Sequence, residues 1–283
     1  MPIRRRFGVR ATAPDAMRRN LALLRAFRDL ERRRVTIGAI AGVVVEAEIG
    51  AAVIAARPGP VTVVLAVAAA AVLFAAITFG VAAILRPRRV SRALDLYRWV
   101  DRADRARWRS ATGEDRPSMP RAARAWLESH PASGGSADLP RIELLMWIGE
   151  FEAASRVVGA LPTATAEERF ERALRRAAVD FVASGDGELT AARVALAELP
   201  DEARPEATAR LAVEEARQMA ATARPGDGPT FLEPLVRARD VPGLSIEGHL
   251  LPDLARWVAR PLLMLGTASA VASFVVAVLV VRR

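Results

Sequence analysis

The sequence predicts an all-α protein: three transmembrane helices plus a cytoplasmic helical domain. Three observations carry this. Val61 to Leu85 holds no charge, and a bilayer core of about 30 Å needs roughly 20 apolar residues in a helix. A second uncharged run, Leu262 to Val281, lies near the C-terminus. Between these runs, apolar residues recur at helical spacing, and one motif returns at an offset of 38 residues.

Residues 1–34 form a basic N-terminal arm with 11 Arg against 3 acids. Thr12, Pro14 and Asp15 read as a helix start, with a cap, an early proline and an acid in the first turn. Met17, Leu21, Leu24, Phe27 and Leu30 then share one face, with Arg18, Arg19, Arg25 and Arg28 largely elsewhere. Such a basic amphipathic helix beside a span can lie on anionic lipid headgroups. Its apolar face can equally pack on the cytoplasmic domain. Nucleic acid is not an expected partner, because membrane topology already explains the charge.

Residues 35–85 read as a transmembrane hairpin, 35–56 and 61–85, joined by the breakers Pro58, Gly59 and Pro60. The first span carries Glu46 and Glu48 near its middle. Its nine Val and Ile residues contribute about −3 to −5 kcal/mol to insertion, against about +5 to +7 kcal/mol for two carboxyls. It therefore depends on its uncharged neighbour. Intramembrane carboxyls are functional candidates by default. Gly38, Gly42, Glu46 and Gly50 form a small-residue stripe of the kind that lets helices approach closely. The third span, 262–281, has a comparable stripe, and equal depth pairs its Ser273 with Glu46. Glu48, about 200° round the helix, faces elsewhere.

Residues 86–139 comprise a basic juxtamembrane helix over about 90–109, two linkers (110–119 and 131–139) and a short helix from Pro120 to His130. Trp99 and Trp108 suit either interfacial anchoring or core packing. Residues 140–260 form the helical repeat domain. Gly149 to Pro162 matches Gly187 to Pro200, with a weaker third copy over Gly228 to Pro242. Fixed periods of this size indicate stacked helix pairs. Residues 164–183 and 203–223 read as the other helix of each pair.

Gly149, Phe151 and Ala154, and less fully Gly187, Leu189 and Ala192, resemble the second helix of the tetratricopeptide repeat family over roughly residues 140–242. The period is 38 rather than that family's 34. The resemblance implies a helical scaffold with a groove for partner peptides, and Trp147, Phe151, Arg172 and Arg176 become candidate partner-binding residues. Outside this region the chain reads as a bacterial-type integral membrane protein.

Composition narrows the function. The chain has no Cys, which removes disulfides, thiolate catalysis and Cys-based metal sites. His130 and His249 are its two histidines, expected in solvated loops. There is no phosphate-binding loop, nucleophile elbow or metal-ligand spacing, so no catalytic residue, metal or cofactor is assigned and no enzyme is expected. Glu167, Glu168, Glu171, Glu214 and Glu215 read as solvated helix faces neutralised by Arg172, Arg175, Arg176 and Arg217. There is no early apolar signal-peptide region. Net charge is +9, but residues 110–260 carry −6, while positive blocks flank one side of the hairpin. The positive-inside rule then places the N-terminus and the large domain in the cytoplasm, on a multi-pass protein of the cell (inner) membrane. The expected function is a membrane-anchored adaptor or scaffold that binds another protein. The alternative is a channel or transporter subunit using Glu46 and Glu48, for which a homo-oligomer would supply the pathway.

Overall fold

A computed structural model describes residues 13–56, 59–84, 87–117, 119–133, 138–224, 229–244 and 246. The described residues form eleven helices and no strand. They fall into two compact units: those within 13–26 and 92–246, and those within 27–91.

The second unit holds the hairpin. Its first helix, α2 (Ala22–Ala56), is 35 residues long. Within it, Ala22–Ala52 is long and apolar enough to cross a membrane, and among the described residues it is the one helix that meets this criterion. The arm and the first span were expected to be separate elements. Instead α2 takes in both, and α1 (Ala13–Asn20) precedes it across Leu21 alone. The i→i−4 bonds run on through that residue: Leu21 N–H donates to Met17 O at 3.1 Å, and Arg25 N–H to Leu21 O at 3.0 Å. No proline or glycine lies between Asp15 and Ile37 to stop the helix.

The other helix of this unit, α3 (Pro60–Ile84), has 25 residues and no ionisable side chain. It runs antiparallel to α2. A Cβ on Gly38 would lie 2.5 Å from the carbonyl oxygen of Thr78, and one on Gly42 would lie 2.6 Å from the Phe74 ring. Glycine at 38 lets the two backbones come this close, and glycine at 42 leaves room for the Phe74 ring. At Gly38 and Gly42 the stripe meets the second helix of the hairpin, and the expected pairing with the third span falls on residues outside those described. Gly50 faces open space. The run 262–281, with Ser273, lies outside the described residues.

The first unit contains α1, the body of α4 (Arg88–Thr112), α5 (Pro120–Ser129), α6 (Leu139–Ile148), α7 (Phe151–Ala160), α8 (Ala166–Ser184), α9 (Thr190–Ala197), α10 (Arg204–Thr222) and α11 (Leu232–Arg239). From α5 to α11 each helix packs on the next, and α6, α8 and α10 also touch in turn, making one row. The expected pairing of segments is present. Residues 164–183 become α8, opened by a capping box in which Thr165 and Glu168 satisfy each other's backbone N–H groups. Residues 203–223 become α10.

The two glycines aligned by the repeat do different work. Gly149 ends α6 in the left-handed region at φ +89°, which glycine adopts at little cost. The glycine that ends α8 in the same way is Gly185, at φ +87°. At Gly187 an added Cβ would meet Phe181, the Ala177 carbonyl oxygen and the Gln218 amide. The repeat thus preserves the spacing of the helices while the cap moves by two residues.

Apolar clusters fill this unit, and two of them are large. One gathers Trp108, Leu127, Ile142, Leu145, Val158 and Val179. The other gathers Phe170, Leu174, Leu189, Leu199 and Leu211. Trp108 is buried, so core packing rather than interfacial anchoring describes it. The arm also reaches this unit. α1 packs on α8 and α10, and Arg19 donates to the carbonyls of Phe181 (3.4 Å) and Val182 (3.3 Å). A cation there joins the Gly185 N–H at Phe181 O, reaches Val182 O in the last turn of α8 and complements the helix dipole.

Candidate functional site

The row α6–α8–α10 carries charged side chains on one face, and α4 lies against that face. From α6 comes Glu143, from α8 Glu171 and Arg175, and from α10 Glu206, Arg210, Glu214 and Arg217. α4 supplies Asp104 and Arg107. Arg210, 5% exposed, grips both oxygens of Glu171, with its Nε 3.4 Å from Asp104 Oδ1. Arg107 donates to Glu171 at 3.1 Å and also to Glu206. Arg175 pairs with Glu143 at 3.0 Å, and Arg217 donates to Glu214 at 2.6 Å.

Glu214 is 4% exposed. The expectation of a solvated acidic face is therefore corrected at Glu214, and also at Glu171, which is half-buried. Charged groups leave water only when paired, and each of these carboxylates faces a guanidinium. The pairing shows in the proton affinities. At Arg175 burial favours the neutral form, but Glu143, Asp104 and Glu214 outweigh it and raise the pKa. At Arg217 burial again lowers it, and Glu214 carries the balance upward. Arg210 is held below its ordinary value by burial. Burial raises the Tyr97 phenol, against a lowering by Arg217.

Beside this cluster lies a cavity of about 70 Å³ whose wall includes Asp104, Trp108, Pro140, Glu143 and Arg175. The Trp108 ring sits 5.2 Å from that of Trp126, tilted by 51°. Trp126 in turn stacks on His130 at 4.3 Å and 9°. His130 is thus half-buried rather than a solvated loop residue; His249 lies outside the described residues. The arrangement holds cations and anions in balance. Ser129 Oγ lies 2.9 Å from His130 Nδ1, and the described residues contain no group of three or more His, Asp or Glu that could hold a metal.

The four candidate partner-binding residues are spread over the outer hairpins. Trp147 is half-buried against the Trp108 cluster, and Phe151 is half-buried against Phe181 and Val182. Arg172 donates to Leu161 O at 3.4 Å, and Arg176 donates to Ser155 Oγ at 2.7 Å. Both arginines hold α8 to α7 and its following loop. In the hairpin, Glu46 is buried and Glu48 exposed, so the two carboxyls occupy different faces of α2.

The ionic cluster had no signal in the sequence, because its members come from four helices. The pair Glu214 and Arg217, three residues apart, has the spacing of an ordinary surface pair. Comparison with known protein families, characterised proteins and solved structures finds no match.

Proposed function

We propose that the protein is a membrane-anchored cytoplasmic helical scaffold that binds another protein. The single observation behind this reading is the surface of the hairpin. Ile37, Ile40, Val43 and Val44 of α2 are 45–62% exposed, and Val72 and Ile84 of α3 are 71% and 83% exposed. A contiguous apolar surface of this kind marks a membrane or protein contact, and burying it in lipid recovers about 25 cal/mol for each Å². The reading takes 35–56, 61–85 and 262–281 as the spans. The excess of arginine on one side of the hairpin supports a cytoplasmic N-terminus and helical domain.

The stacking of successive helices from α6 to α11, with the resemblance to tetratricopeptide repeats, supports a scaffold rather than a catalyst. With α4 seated along the row α6–α8–α10, partner docking is assigned to the other side of the repeats, where Val194 of α9 is 59% exposed. Alkaline carbonate extraction of native membranes tests the anchor, and the chain should remain in the pellet. Protease added to sealed, right-side-out cells should leave residues 140–260 intact. Release by carbonate without detergent, or digestion of that domain from outside, would overturn the reading. Crosslinking in intact membranes then identifies the partner.

A further inference from the structure

The face of α2 opposite Gly38 and Gly42 has the layout of a phospholipid. Arg33, Ile37, Ile40 and Val44 follow at spacings of four, three and four, which places them in one stripe. All four are exposed. From Arg33 to Val44 the stripe is about 16 Å long at 1.5 Å per residue, and one leaflet of hydrocarbon is about 15 Å, half of the core. A guanidinium therefore stands at one end of an apolar track as long as a leaflet is thick.

The register of the hairpin adds to this end. Gly38 meets Thr78 and Gly42 meets Phe74, so α2 and α3 pair with a constant sum of residue numbers, and Arg32 stands level with Ile84. Arg88 and Arg89 begin the next helix, four and five residues after Ile84 in the chain. Arg32, Arg33, Arg88 and Arg89 are all exposed. No hydrogen bond or ion pair occupies their guanidinium groups among the described residues. Guanidiniums gathered at this end of the hairpin meet a phosphodiester by charge-assisted bonds, and the adjoining apolar track takes the acyl chains.

We propose that this stripe, with Arg32, Arg88 and Arg89 beside Arg33, is a binding site for an anionic phospholipid of the cytoplasmic leaflet. The proposal rests on the membrane reading above and deepens it by naming a lipid class and its contacts. The test uses the full chain in detergent, titrated separately with short-chain phosphatidylglycerol, phosphatidylcholine and inorganic phosphate. Bound lipid is counted by native mass spectrometry. Phosphatidylglycerol should bind at least tenfold more tightly than phosphatidylcholine, and inorganic phosphate should not compete. Each Arg→Gln change at 32, 33, 88 or 89 should weaken binding about fivefold. The pair Arg121→Gln and Arg124→Gln, exposed on α5, should leave binding unchanged.

A second readout separates the two readings. The quadruple variant should still resist carbonate extraction while losing its preference for phosphatidylglycerol. Equal binding of the two lipids, competition by inorganic phosphate, or undiminished binding by a quadruple variant of wild-type helicity would each overturn the proposal. Carbonate-resistant wild type showing no lipid preference would sink the lipid site and leave the membrane anchor standing.

Discussion

Replacing Arg210 by Met tests whether the charges between α4 and the row α6–α8–α10 are a buried, paired core. Met is apolar and flexible enough to fill much of the space, so the change removes charge more than volume. Asp104 suffers most, since Arg210 is its one cation partner within salt-bridge range among the described residues, at 3.4 Å. At an effective dielectric of about 20, that separation corresponds to about 5 kcal/mol of attraction. Glu171 suffers less, because Arg107 remains at 3.1 Å and Arg175 at 3.9 Å. Against these losses stands the desolvation of a guanidinium, several kcal/mol that the variant no longer bears. The net expectation is a loss of about 3 kcal/mol, at the low end for breaking a buried pair. For a unit of this size that is a fall of roughly 6–12 °C in melting temperature. Adding Asp104→Leu should restore all but about 1 kcal/mol, since the orphaned carboxylate is then gone. The assay is thermal and denaturant unfolding of the full chain in detergent, followed by helical circular dichroism. A loss below about 1 kcal/mol, or a double variant no more stable than the single one, would mean that the cluster is solvated.

Three further outcomes are expected. Gly187→Ala should cost about 1–3 kcal/mol by overpacking, because its Cβ meets the Ala177 carbonyl oxygen and Phe181, which cannot both yield; the unfolding midpoint in urea reads this directly. Gly38→Ala should cost a similar amount by pushing α2 off the Thr78 backbone, whereas Gly50→Ala, facing open space, should gain a few tenths to 1 kcal/mol from helix propensity; equal melting temperatures for the two variants would remove the close approach. Tyr97 is the one tyrosine in the chain, so absorbance at alkaline pH reports it alone. Its pKa is raised above 10.0 by burial, so the unfolded chain releases this proton first. The stability it contributes is full below pH 10 and falls as pH rises toward the folded value; titration at or below the free phenol value would contradict the burial.

The hairpin and the repeats were legible because both are written in local pattern. An uncharged run of 25 residues gives α3, and the 38-residue offset gives α7 with α8 and α9 with α10. The glycine stripe announced a close helix contact but not which helix would make it. Gly38 and Gly42 fit a partner arriving from either side, and a short turn brought Thr78 and Phe74 there first. The charged cluster was illegible for a different reason. Asp104, Glu143, Glu171 and Arg210 are far apart in the chain, and a charge destined for the interior looks like one destined for water. Only the neighbours supplied by other helices distinguish Glu214, buried, from Glu215, half-exposed. The split of Gly149 and Gly187 into a cap and a packing site was hidden similarly, since both tasks select the same residue.

The bond from Arg19 to the end of α8 closes a loop of 162 residues. α1 has its seat on α8 and α10, which are made much later. At about 5–20 residues per second, that interval is roughly 8–30 s. For that time its basic side chains and the faces of Leu21 and Leu23 stay open to whatever lies near the exit tunnel. The chain must therefore be made as far as α10 before α1 can take its place.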